Sequence, residues 1–86
     1  MRKMFRLISE KLSAGEDLVL VTVIASSGAT PRGAGARMLV GREGRLSGTI
    51  GGGAVEYRSQ QMAAKVLEDK RSFEHGYVRI AEVPIA

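Results

Sequence analysis

Nine of the chain's 11 glycines fall within residues 28–53, and the run Gly48-Thr49-Ile50-Gly51-Gly52-Gly53 closes that segment just before a helix-forming stretch. Glycine adopts positive φ freely and carries no side chain, so a glycine-dense loop feeding a helix brings backbone N–H groups close to an anion. Five arginines (Arg32, Arg37, Arg42, Arg45, Arg58) against two acids (Glu43, Glu56) place an excess of positive charge in and around it. Guanidinium groups such as those of Arg32 and Arg37 suit bidentate recognition of phosphate or carboxylate. The chemistry on offer is anion binding. The run lacks the lysine and hydroxyl of the nucleoside-triphosphate loop and the spacing of the dinucleotide fingerprint. On glycine content alone, tight turning and close packing of the helix on a sheet stand equally open.

The reactive inventory is otherwise thin. His75 is the single histidine and the chain has no cysteine, so one chain can build neither a histidine-rich nor a thiolate metal site. Neither Ser26 nor Ser27 has a base in evident reach along the sequence to activate it. The residues describe a binding module, not an autonomous hydrolase.

The elements that must position these groups follow from periodicity. Met4, Phe5, Ile8 and Leu12 recur at helical spacing through residues 2–14, and Gly15 supplies a stop. Residues 18–25 form a nearly continuous apolar and β-branched run, which predicts a central strand covered on both faces. Residues 26–36 read as a loop of small residues around Thr30-Pro31-Arg32, with proline biasing Thr30 toward an extended conformation. Residues 37–40 and 46–50 flank a glycine-bounded turn and predict a hairpin whose second strand delivers the chain to Gly51. Residues 54–71 predict a second helix, with Val55, Met62, Ala63, Val66 and Leu67 as its apolar stripe, Gly53 as its cap and Glu56 complementing its dipole. Residues 77–85 predict one short strand that Pro84 confines to an edge or end. The sum is an α/β (α+β) fold: a small mixed β-sheet with a β-hairpin, flanked by two helices.

At 86 residues the chain makes a single domain, and a domain of this size buries only about 60–65% of its unfolded surface. Without disulfides or a metal to staple it, the sequence predicts a homo-oligomer or a larger assembly. The longest apolar run, residues 18–25, is far too short to span a bilayer. The basic N-terminal residues lead into Ser9, Glu10 and Lys11 instead of a signal-peptide apolar region, which predicts a cytoplasmic protein with no membrane partner. The formal charge of +4 admits polyanions. The four aromatics, Phe5, Tyr57, Phe73 and Tyr77, form no stacking platform, which argues against nucleic acid.

Two stretches then carry a resemblance that composition does not supply. Val21-Thr22-Val23-Ile24-Ala25-Ser26-Ser27-Gly28-Ala29-Thr30-Pro31-Arg32-Gly33-Ala34-Gly35-Ala36-Arg37-Met38-Leu39-Val40, followed by Gly48-Thr49-Ile50-Gly51-Gly52-Gly53-Ala54-Val55-Glu56, resembles the N-terminal domain of the XdhC/CoxI family. The likeness runs from the first helix to about Leu67. It implies an accessory factor for molybdenum hydroxylases of the xanthine or carbon monoxide dehydrogenase type, one that holds the molybdenum cofactor (molybdopterin), supports its sulfuration and delivers it to the apoenzyme. The cofactor, an anionic pterin held without a covalent bond, suits backbone N–H groups at Gly51, Gly52 and Gly53 with arginines nearby. With the resemblance, the assigned cofactor-binding residues are Ser27 and Thr30 as hydroxyls, Arg32 and Arg37 as positive charge, the three glycines, and Glu56 as a cap or polar contact. No catalytic or metal-ligating residue is assigned.

Family members usually append a Rossmann-type domain and carry a second glycine-rich segment with a cysteine, and this chain of residues 1–86 has neither. Three explanations stand open: a standalone short paralogue, one subunit of a split protein whose partner is a separate Rossmann-domain protein, or a fragment. Two other readings stay open on the residues: a nucleotide-binding subunit of a split oxidoreductase, and an oligomerisation domain whose glycines serve packing alone.

Overall fold

The strands and helices are spaced as the periodicity predicts, with shifts at the turns that matter for the site. The computed structural model describes residues 2–25, 34–69 and 76–85. Along the chain these form α1 (Arg2–Ser13), β1 (Leu18–Ala25), β2 (Arg37–Gly41), β3 (Gly44–Gly48), α2 (Gly53–Asp69) and β4 (Val78–Ile85). The sheet has the order β3-β2-β1-β4. β1 pairs antiparallel with β2 and parallel with β4, and β2 pairs antiparallel with β3. The fold is therefore α+β, a four-stranded mixed sheet with two helices.

Alternation along β1 sends side chains to two separate cores. Val19, Val21 and Val23 join Met38, Val40, Ile50, Ala63 and Leu67 under α2. Leu18 joins Leu39 and Met4 under α1, with Leu7, Ile8, Leu12 and Leu20 around them. A strand buried on both faces has no polar alternation to show, which is why β1 reads as a continuous apolar run.

Two features depart from the sequence reading. The second hairpin strand spans residues 44–48 instead of 46–50, because Gly41 pairs with Gly44 and leaves only Arg42 and Glu43 for the turn. The buried stripe of α2 is Ser59, Ala63 and Leu67 with Val66 beside it, while Val55 and Met62 are exposed. Small residues at i and i+4 let the helix sit close on the sheet, and Ile50, from the preceding turn, takes the core place expected of Val55.

β4 spans Val78–Ile85, within the predicted range, and lies at the sheet edge, the position to which Pro84 was expected to confine it. Its start is tied down by Asp17, a buried residue whose Oδ1 accepts the Gly76 N–H at 2.8 Å. Among the described residues no helix is long and apolar enough to cross a membrane.

Candidate functional site

The glycine turn leaves the sheet at Gly48, and the geometry there permits no other residue. Gly48 has φ +76°, and a Cβ on it would stand 2.2 Å from the Arg37 carbonyl oxygen and 2.8 Å from Met4 Cε. The close approach of β3 to the start of β2 sets where the turn begins. Ile50 then drops its side chain into the core under α2, and this anchors the turn from below.

Gly51, Gly52 and Gly53 follow with φ of 115°, 77° and 64°, and no heavy atom lies within 4 Å of a Cβ built on any of them. Three consecutive residues in this region need glycine for their backbone, not for lack of space. Their open surface lets a ligand approach the main chain directly.

Glu56, in the first turn of α2, closes the turn on itself. Its Oε1 accepts the Ile50 N–H at 3.0 Å and the Thr49 hydroxyl, while Thr49 Oγ1 in turn accepts the Gly51 N–H at 3.2 Å. The arrangement works as a capping box drawn out over a longer loop, with Thr49 standing where the cap residue would. The Thr49 hydroxyl and then the Ile50 N–H, with help from the charge of Arg45 and the Gly52 backbone, hold the Glu56 carboxyl below the ordinary carboxylate value against an opposing desolvation. The turn thus holds and stabilises the carboxylate of Glu56.

Arg45 is the cation nearest this network that the sequence reading did not assign. From β3 its Nη1 donates to the Gly48 carbonyl at 2.9 Å. Thr49 was missed as well. Both sit three residues or fewer from Gly48 or Gly51, so the signal was present in local spacing, but it needs the hairpin register to be read.

Of the assigned residues, Gly51, Gly52, Gly53 and Glu56 come together in this one turn. Arg37 opens β2, its backbone against Gly48 and its residue exposed. Ser27, Thr30 and Arg32 lie outside the described residues, as does His75. The stretch that carries the first three follows β1 directly, and β1 and β2 stay joined up to its ends through Val23 N–H to Ala36 O (2.9 Å) and Gly35 N–H to Val23 O (2.8 Å).

A separate open cleft of about 250 Å³ lies between the hairpin turn (Arg42, Glu43) and α2 (Tyr57, Gln60, Gln61). Gln61 Nε2 donates to Tyr57 Oη at 2.8 Å there. The glycine turn does not line it.

Comparison with known proteins places the two signature stretches in a family. Residues 12–78 match the XdhC and CoxI family. The chain is 34% identical over 76 residues to the molybdenum cofactor insertion chaperone PaoD of Escherichia coli (strain K12), an alignment covering 88% of this chain and 24% of that protein. The chain thus spans about a quarter of the length of this curated relative. No solved structure matches. With the family match extending from the end of α1 to the start of β4, and the glycine turn at its centre, the chain belongs to the XdhC and CoxI family.

Proposed function

We propose that this chain is a cytoplasmic accessory factor in the maturation of a molybdenum hydroxylase of the xanthine or carbon monoxide dehydrogenase type, holding the molybdenum cofactor or assisting its sulfuration and insertion. The observation that carries this reading is the open glycine turn at the N-terminus of α2, in a chain whose relative is named as a molybdenum cofactor insertion chaperone.

The residues fit an anionic pterin. Gly51, Gly52 and Gly53 leave the main chain uncovered, and a helix N-terminus favours negative charge. Glu56 already lies on backbone donors of this turn, which supports the reading that the turn stabilises oxyanions. Arg37 and Arg45 supply positive charge on the adjoining strands, and Ser27, Thr30 and Arg32 are proposed to complete the site. The role of Glu56 is to keep the turn in shape.

The proposed partners are the hydroxylase apoenzyme, a separate Rossmann-domain protein and further copies of this chain. The edge position of β4, where Ile80 is 71% exposed, supports a chain that works in an assembly.

Titration of the purified chain with molybdenum cofactor, a free pterin and nucleotides tests the reading. Binding of the cofactor is expected, weakened roughly tenfold or more by Arg32→Ala as a charge-assisted contact is lost. Gly52→Val is expected to block approach to the turn. If both variants stay folded and bind as the parent does, the glycine turn is not the cofactor site.

A further inference from the structure

The first turns of α1 carry charge of the wrong sign for a helix built only for stability. Arg2, Lys3 and Arg6 lie at its N-terminal end and no acid lies in the first turn. A helix N-terminus has partial positive character, so cations there are unfavourable. Arg2 and Arg6 are also an i, i+4 pair and Lys3 and Arg6 an i, i+3 pair, and like charges at these spacings repel.

Among the described residues nothing offsets this. All three side chains are exposed, and none has an ionic or hydrogen-bonding partner among the described residues. The ion pair that α1 makes is at its other end, between Lys11 and Glu16 at 3.6 Å. Phe5 stands beside the cations, 60% exposed, although Met4, Leu7, Ile8 and Leu12 of the same helix pack on the sheet.

The location ties this patch to the candidate site. Met4 Cε lies against Gly48, so the N-terminus of α1 sits at the end of the sheet from which the glycine turn departs. The unfavourable charge and the exposed aromatic thus lie on the helix that packs over this end of the sheet, on the face opposite α2.

We infer that Arg2, Lys3, Phe5 and Arg6 form a docking surface for an acidic protein face with an apolar recess for the phenyl ring. Charge complementarity selects the partner: carboxylates would relieve both the mutual repulsion and the unfavourable dipole contact. Arginine and a large aromatic side by side are also the residues that anchor protein interfaces. A bilayer fits less well, because the apolar face of α1 is already committed to the core. Three cations would neutralise few phosphates, and this makes the patch a poor nucleic-acid site.

Taking the hydroxylase apoenzyme as that partner rests on the function proposed above, and the experiment separates the two. Binding of the full chain to a purified apo molybdenum hydroxylase of the xanthine dehydrogenase type is measured across a salt series. It is repeated with Arg2→Glu/Lys3→Glu/Arg6→Glu, with the milder Arg2→Gln/Arg6→Gln, and with Phe5→Ser. Binding is expected to weaken with salt and to fall about tenfold or more in the charge-reversal variant, while the melting temperature holds or rises because the helix terminus is relieved. Phe5→Ser is expected to weaken binding while leaving its salt dependence intact, and cofactor uptake should match the parent in every variant.

Reversed or neutralised chains that dock like the parent overturn the inference. So does tighter binding of phosphatidylserine vesicles or duplex DNA than of the apoenzyme, and so does a parent chain that takes up cofactor but does not dock. Salt-dependent docking by a chain that takes up no cofactor supports this surface and overturns the function proposed above.

Discussion

Glu56 Oε1 accepts the backbone N–H of Ile50 at 3.0 Å, and through that bond the first turn of α2 reaches back over three glycines to the end of the hairpin. Ile50 is held twice, by its side chain in the core and by its N–H on the carboxylate. The glycine turn, unrestrained by side chains of its own, takes its shape from the two residues that bracket it.

The ionised form of Glu56 is the one the fold prefers, since the Thr49 hydroxyl and then the Ile50 N–H lower its pKa. A depressed native value means that the stabilisation is present above the unfolded-state value and disappears as the pH falls through the native one. Thermal melts of parent and Glu56→Gln from neutral pH into the acid range should therefore differ most at neutral pH and converge under acid. A gap that stays constant with pH would show that the carboxylate is not what holds the turn.

Gly48 and Gly52 share nearly the same φ, +76° and +77°, but differ in their surroundings. Gly48→Ala would place its methyl 2.2 Å from a backbone carbonyl, whereas Gly52→Ala meets no atom within 4 Å. The Gly52 variant should lose about 1–2 kcal/mol, the strain of a left-handed residue. The Gly48 variant should lose more than that, because the strand itself must shift. Urea denaturation of the two side by side measures the difference, and equal losses would mean that the approach of Arg37 to Gly48 does not constrain the fold.

Asp17 is buried, and its Oδ1 accepts the Gly76 N–H at 2.8 Å, tying the start of β1 to the approach to β4. Removing the acceptor in Asp17→Ala strands a backbone donor, and about 1.5–3 kcal/mol of stability should go with a bond of this charged type. Hydrogen exchange should show the loss concentrated at residues 76–80 before global unfolding. Uniform loss across the sheet would place the role of Asp17 elsewhere.

What could be read from the sequence depended on the range of the interaction. β1 announced itself because a strand buried on both faces is apolar at every position, and α1 because Met4, Ile8 and Leu12 share one face. The glycine turn and Glu56 were legible as types at short spacing. The roles of Thr49 and Arg45 were not, since each depends on β3 ending at Gly48, and that boundary is set by a contact with Arg37 across the hairpin. The choice of β1 as the parallel neighbour of β4 was equally hidden, because an edge strand of mixed character fits several positions until the sheet exists. The narrow stripe of α2 depended on Ile50 filling space that helical periodicity assigned to Val55.

The pairing of Leu18 with Val78 also orders events in time. During synthesis the segment from β1 through β3 can meander into place from neighbouring pieces of chain, but the outer flank of β1 stays bare until β4 leaves the ribosome. Joining strands about sixty residues apart is the slow, high-contact-order step. Until it is complete, the apolar β1 is an open template for other strands, so the nascent protein is most prone to aggregation in the interval between the emergence of β1 and that of β4.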